Sequence, residues 1–147
     1  MSTRTKRILI GLASPRSSYT ADLLVARGFA MMATDVGWNP NTDIFETEDE
    51  VVIRIEAAGL DPDHLQVQLQ GEKLTVRGYR PETHSCAPVT YQQMEIAYGP
   101  FEKVFVLPEE IRSNPIRARY QRGILEILIS KQQPQSGFEG RVELQVE

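Results

Sequence analysis

The stretch that decides the fold is ARYQRGILEILI, residues 118–129, near the end of the chain. In it, Gly123 separates two short runs of residues that favour strands. Two such runs joined at a glycine are typical of a β-hairpin, because glycine tolerates the tight reversal between the strands. The sequence therefore predicts a hairpin that forms part of a packed sheet.

Segments upstream of this hairpin show the period of two that is typical of half-buried strands. Apolar and polar residues alternate over residues 51–56, 65–70 and 74–77. Gly, Pro and Asn interrupt the chain so often after these segments that no helix fits between consecutive strands. The pattern predicts an all-β protein: an immunoglobulin-like antiparallel β-sandwich of about seven to nine strands over residues 39–131.

Composition and charge limit the possible functions. Hydrophobic residues make up 41% and charged residues 24% of the 147 residues, as in a globular domain, and the net charge of −4 gives no general attraction to nucleic acid or anionic membranes. The single cysteine, Cys86, excludes an internal disulfide and a thiolate-rich zinc site. It also suits a reducing compartment, so we expect a cytoplasmic protein.

An arm precedes the sandwich, over residues 1–38. It contains five Lys and Arg against two Asp, a net charge of +3, whereas residues 39–147 contain eleven against eighteen, a net charge of −7. Helix-forming residues predict a helix over 21–33, with Thr20 as its cap and Gly28 as its weak point. The arm is therefore expected to be partly helical.

The start of the arm imitates a targeting segment. The apolar run after Arg7 is too short for a signal peptide, whereas the absence of acidic residues over 1–21 leaves an organelle transit peptide possible. No apolar run in the sequence has the length that a membrane span needs.

A C-terminal extension, residues 132–147, follows the sandwich. The polar stretch QQPQSG, residues 132–137, predicts a flexible linker. Beyond it, VELQV, residues 142–146, alternates like a strand but has no local segment with which to pair.

Five short motifs, in order and correctly spaced over residues 38–131, resemble the α-crystallin domain of the small heat-shock protein family. They are PNTDIFE at 40–46, IEAAGL at 55–60, LTVRGYR at 74–80, EIAYGPFEK at 95–103 and ARYQRGIL at 118–125. The chain departs from the family pattern at Ala58, where Pro is usual, and at Ile96 and Lys103, where Arg is usual. Arg122 takes the place of an Asn. Lys cannot reproduce the planar fork of Arg, so a salt bridge at Lys103 is weakened.

The resemblance implies an ATP-independent chaperone that binds partly unfolded proteins and prevents their aggregation, as an oligomer of strand-swapped dimers. It implies no cofactor, and neither nucleic acid nor membrane as a partner. The alternative is a co-chaperone-like sandwich that binds one dedicated partner. The arm residues expected to bind clients are Ile8, Leu9, Ile10, Leu12, Leu23, Leu24, Val25, Phe29, Met31 and Met32. These same residues could instead pack inside the oligomer.

Two docking sites follow from the resemblance. The tail, through Val142 with Leu144 or through Leu144 with Val146, would add as a strand to a groove on a neighbouring dimer. The expected groove residues are Leu65, Val67, Leu69, Ile116 and Ala118. The loop over 81–91 is too long for a hairpin turn and would pair with a partner's edge strand in the dimer. The expected contacts are Asp43, Ile44, Phe45, Val89, Thr90 and Tyr91. A disordered tail and a mobile unpaired loop remain the alternatives.

No residue pattern points to catalysis or to a metal. His84, Ser85 and Cys86 are adjacent on a loop flanked by proline and cannot converge as a catalytic triad must. The acidic run at 46–50 lacks the spacing and the glycine of a calcium-binding loop. We therefore expect neither an enzyme nor a metal protein. Arg117, Arg119 and Arg122 are expected to pair with acids at an interface or to lie exposed.

Overall fold

Two β-sheets stack on each other in the computed structural model, which describes residues 4–7, 24–26, 29–32, 34–83, 88–133 and 142–147. Seven strands fall within the predicted sandwich: β4 Thr42–Glu46, β5 Glu50–Glu56, β6 Gln66–Gln70, β7 Lys73–Arg80, β8 Gly99–Val106, β9 Ile116–Gln121 and β10 Ile124–Ser130. Short strands outside it are β1 Arg4–Arg7, β2 Leu24–Ala26, β3 Phe29–Met32 and β11 Val142–Val146. The predicted all-β sandwich is confirmed.

The flanking strands extend the sheets of the sandwich. One sheet has the order β1-β11-β9-β10-β5-β4 and the other the order β2-β3-β8-β7-β6. Neighbouring strands are antiparallel, except that β11 runs parallel to β9. The edge strands β4 and β6 thus belong to different sheets.

The core lies between the sheets and follows the predicted alternation. Ile53, Ile55, Leu125 and Ile127 are fully buried on the inner face of the larger sheet, and Leu74, Val76, Phe101 and Phe105 face them from the other. Gly78 leaves room for one of these rings, because a Cβ there would lie 2.3 Å from the ring of Phe101. The LTVRGYR motif therefore needs its glycine for packing.

The predicted hairpin forms between β9 and β10. Its two connecting residues, Arg122 and Gly123, have φ of 52° and 78°. Two positive φ values define the turn that best continues the twist of a hairpin. A Cβ at Gly123 would also lie 2.8 Å from Cβ of Ala58, so this glycine is required both for its φ and for its close approach to the neighbouring turn.

The helix predicted over 21–33 is wrong. The described part of that segment forms β2 and β3, which pair with each other, and β3 pairs with β8. The free edge of β8 offers a row of backbone partners, and this tertiary pairing overrides a modest helix propensity. Gly28, which weakens a helix, lies outside the described residues.

Candidate functional site

A groove runs between the edge strand β6 of one sheet and β9 of the other. Leu65 and Val67 line its first side and are 0% and 1% exposed, while Leu69 is half-buried. Ile116 and Ala118 line the second side and are also buried. The groove residues predicted from the sequence therefore lie together.

The tail occupies this groove through β11. Val142 lies opposite Ile116 and Leu144 opposite Ala118. Val142 is 4% and Leu144 0% exposed, whereas Val146 is only half-buried. Of the two pairs that the sequence left open, the structure buries Val142 with Leu144. The sequence analysis predicts docking on a neighbouring dimer, whereas in this structure of one chain the tail lies in its own groove.

The strand β1 covers the outer edge of the tail. It pairs antiparallel with β11, so that Arg7 lies opposite Glu143 and Arg4 opposite Val146. Glu143 in turn lies opposite Arg117 of β9, so the three positions form a row of alternating charge. The sequence analysis missed this pairing because Arg4 to Arg7 carry no apolar alternation. The opposite charges of the arm and the body were the available signal.

The arm residues predicted to bind clients are only partly described. Leu24 and Val25 lie in β2, and Phe29, Met31 and Met32 lie in β3 along the edge of β8. Met32 is half-buried. Ile8, Leu9, Ile10, Leu12 and Leu23 lie outside the described residues.

The strand β4 lies at the end of its sheet and pairs only with β5 among the described strands. Asp43 is exposed and Ile44 packs partly against the core. Phe45 is 36% exposed, beneath the guanidinium of Arg54 at 5.0 Å from its ring centre. An edge strand in this position has backbone groups available for another strand.

The loop between β7 and β8 presents apolar side chains to solvent. Val89 is 50% and Tyr91 42% exposed, and Thr90 between them is also exposed. Sequence reasoning missed Met94 and Ile96, which are 58% and 59% exposed. Their alternation with Gln93 and Glu95 was the signal for a strand-like segment. Residues 88–98 form no strand within this chain.

Hydrogen bonds fix part of this loop. The hydroxyl of Tyr91 donates to the carboxylate of Glu82, across the loop. This bond raises the pKa of Tyr91 to about 12, because the carboxylate stabilises the protonated hydroxyl. The described parts of the loop thus hold each other while their apolar side chains face outward.

A lysine lies between the sheets close to β4. The Nζ atom of Lys103 donates to Oγ1 of Thr42 at 2.6 Å, and Lys103 is 6% exposed. Burial lowers its pKa to about 8, because the protonated amine loses solvation. No carboxylate forms an ion pair with Lys103 among the residues that the structure describes.

Of the three arginines of the last hairpin, Arg117 and Arg119 pair with acids within the sheet, whereas Arg122 is exposed in the turn. Arg119 and Arg54 both donate to the carboxylate of Glu126, and Arg117 donates to Glu50. Partial burial raises the pKa of Glu126, but the hydrogen bonds from Arg119 and Arg54 outweigh it and lower the pKa overall. The two bonds to Glu126 join β10 to its neighbours β9 and β5, whereas the Arg117–Glu50 pair reaches from β9 across β10 to β5. Nothing in the geometry of these pairs resembles a catalytic arrangement.

Across the described ranges, no three His, Cys, Asp or Glu side chains are placed to hold a metal ion. Within those ranges, too, no helix has the length and hydropathy that crossing a bilayer would require. His84, Ser85 and Cys86 lie outside the described residues.

Comparisons with known proteins agree on one family. The model of the Hsp20/alpha crystallin family matches residues 43–145. A small heat shock protein of Rickettsia felis is 30% identical over 101 residues, which cover 69% of this chain and 66% of the relative. A heat shock protein of Dictyostelium discoideum is 33% identical over 103 residues, which cover 69% of this chain but only 24% of the relative.

A solved structure shares the fold. The crystal structure of a small heat-shock protein from Xylella fastidiosa, described as revealing a distinct high order structure, is 28% identical to this chain. The match has a TM-score of 0.57 and covers 71% of this chain and 95% of the other. The family match spans most of the chain, and together with the relatives and the sandwich it shows that this chain belongs to the Hsp20/alpha crystallin family, the small heat-shock proteins.

Proposed function

We propose that this protein is an ATP-independent holdase that binds partly unfolded proteins and keeps them from aggregating, as an oligomer of strand-swapped dimers in the cytoplasm. The observation that carries the proposal is the groove between β6 and β9, which accepts an apolar strand through Val142 and Leu144. A groove that binds its own tail also suits the tail of another copy, since both present the same residues.

The dimer part of the proposal rests on β4 and the loop. Val89, Thr90 and Tyr91 of one copy would add as a strand to Asp43, Ile44 and Phe45 of the other. The open edge of β4 supplies backbone partners, and the exposed side chains of the loop supply apolar surface. In a two-fold dimer, the loop of each copy would pair with the open edge of β4 on the other copy and bury its apolar side chains there.

The apolar residues of the arm support the proposed holdase activity. Aggregation joins exposed apolar patches and strand edges, so a protector needs apolar surface that adapts to many shapes. Met31 and Met32 suit that role because methionine side chains are flexible. Because the chain belongs to a family of chaperones, no enzymatic activity is needed to explain its sequence.

The activity is tested by light scattering of a heat-labile enzyme warmed with and without the full chain, in the absence of ATP. We expect scattering to fall as the ratio of chain to enzyme rises. Replacing Leu9 and Leu12 by Ser should weaken the protection, while replacing Ser17 and Ser18 by Thr, in the same arm, should not. Unchanged scattering at every ratio would refute the holdase.

The dimer is tested with proline, which removes a backbone donor from an added strand. Because alternate residues direct their N–H groups to opposite sides, Thr90→Pro and Tyr91→Pro are made separately. At least one should convert the dimer into a monomer by sedimentation, while Thr90→Ala, which keeps the backbone donor, should not. If both proline variants keep the native mass, the loop does not exchange.

The alternative is a binding module that serves one dedicated partner. The observation in its favour is that β11 and β1 both lie on their own chain, as in a solitary domain. Native mass separates the two functions. A monomer at all concentrations favours the module, and an assembly of many chains favours the chaperone.

A further inference from the structure

Arg80 joins three separate segments of the chain at one point. It is the last residue of β7, directly before the loop. Its Nε donates to the carbonyl of Ala58 at 2.7 Å and its Nη1 to the carbonyl of Ala97 at 2.9 Å. Its guanidinium also stacks 3.9 Å from the centre of the Trp38 ring. One side chain thus contacts the turn after β5, the far end of the loop and the end of the arm.

Trp38 is itself held at the start of β8. Its indole Nε1 donates to the carbonyl of Gly99 at 3.2 Å, and its backbone N–H donates to the carbonyl of Pro100 at 3.3 Å. Its ring packs edge-on against Phe101, with centroids 5.3 Å apart. The surface on which Arg80 stacks is therefore fixed to the core and does not move with the loop.

These contacts lie where the ladder between β7 and β8 stops. Arg80 opposite Gly99 is the last pair of that ladder, so Ala97 lies just beyond it. The hydrogen bond from Arg80 to Ala97 therefore holds the end of the loop to β7 beyond the last backbone pair of the two strands. The direction in which the loop leaves the sandwich is set at this point.

We infer that Arg80 and Trp38 form a clamp that positions residues 88–98 for pairing with a second copy of this chain. The inference rests on the proposed strand-swapped dimer and assigns Arg80 and Trp38 as positioning residues, since neither lies in the exchanging segment. Arginine is required because its planar group donates in two directions while its face stacks on a ring. Lysine offers the charge without that geometry.

The test compares Arg80→Lys with Arg112→Lys. Arg112 is a matched control, because it also donates to a backbone carbonyl, that of Leu107 at 2.8 Å, and pairs with Glu72 far from the loop. We expect Arg80→Lys to raise the dissociation constant of the dimer roughly tenfold, as the loss of a hydrogen bond from a charged group does. Amide exchange over 88–98 should accelerate by a similar factor, while the urea midpoint of both variants stays alike.

A second variant tests the other half of the clamp, and its urea midpoint is measured to separate loss of the clamp from loss of core packing. Trp38→Leu removes the stacking surface and the indole donor, and it should shift both readouts in the same direction. The loss of dimer affinity in the double variant should be smaller than the sum of the two single losses. It should be close to the larger single loss, because the two residues act as one unit.

Each outcome decides the matter. If Arg80→Lys leaves loop exchange and dimer affinity as in Arg112→Lys, the clamp is refuted. If loop exchange accelerates but dimer affinity is unchanged, Arg80 orders the loop without positioning it for pairing, and the inference also fails. If the unmodified chain is a monomer, the proposed dimer is refuted, whatever the variants do. Even in that monomer, unaltered amide exchange over 88–98 in Arg80→Lys would refute the clamp.

Discussion

The substitution Leu144→Ala tests whether the tail docks through the residues that the structure buries. Leu144 is 0% exposed in the groove and lies opposite Ala118, whereas Val146 two residues later is only half-buried. Replacing a fully buried Leu by Ala costs about 2–3 kcal/mol in the transfer of its side chain alone. Since about 1.4 kcal/mol is a tenfold change, Leu144→Ala should raise the undocked fraction of the tail roughly 30- to 150-fold.

Hydrogen exchange of the tail amides measures this fraction directly. In the docked state the tail pairs with β9, and the backbone N–H of Glu147 donates to the carbonyl of Tyr120 at 3.1 Å. Undocking exposes these donors to water, so exchange over 142–147 should accelerate by the same factor. Limited proteolysis within the tail gives an independent measure on the same samples.

The matched control is Val146→Ala, in the same strand. A half-buried Val loses less contact, so its effect should be several times smaller than that of Leu144→Ala. Val142→Ala, which removes a side chain 4% exposed, should fall close to Leu144→Ala. Equal effects of Val146→Ala and Leu144→Ala would refute the register of the docked strand. Native mass on the same variants shows whether docking within a chain or between chains holds the assembly.

Three further predictions concern the sandwich. Arg122→Asn should raise the free energy of unfolding by about 0.5–1 kcal/mol in urea, because φ of 52° strains Arg more than Asn; no gain would contradict the turn geometry. Gly78→Ala should lower it by about 1–3 kcal/mol, since the added Cβ overlaps the Phe101 ring, with unchanged stability as the contrary result. Lys103 has a folded pKa of about 8 against an ordinary 10.5, so the unfolded chain binds more protons between these values and stability should rise with pH there. The full shift corresponds to about 3 kcal/mol. Lys103→Met should abolish this rise in thermal unfolding followed from pH 7 to 10, and an identical profile would contradict it.

Local patterns were enough to predict the sandwich. The alternation over 51–56 and 65–70 places apolar side chains on one face of a strand whatever the rest of the chain does. Gly123 predicted the last hairpin for a similarly local reason, since few other residues adopt its φ. The docking groove on Leu65 and Ile116 stays a prediction from the family resemblance; the structure shows that these residues are buried in one cluster with Val142 and Leu144.

What the sequence did not predict depends on distant pairing. The helix expected near Phe29 had a favourable local composition, but the free edge of β8 determined the outcome. Likewise, the pairing of β1 with the tail joins residues more than a hundred positions apart, and no local signal in Arg4 to Arg7 announces it. The contact of Arg80 with Trp38 was not predicted either, because it also joins residues that are distant in the sequence.

The position of β11 between β1 and β9 makes the two ends of the chain energetically dependent on each other. Because β11 is the strand with which β1 pairs in the described sheet, release of the tail also removes the partner of β1. In the register, Glu143 lies opposite Arg7 on one side and opposite Arg117 on the other. An event that displaces Val142 and Leu144 from the groove therefore frees the apolar groove and the N-terminal strand together. If the protein is the proposed holdase, that coupling would link exposure of surface for a client to the step that lets a neighbouring copy dock.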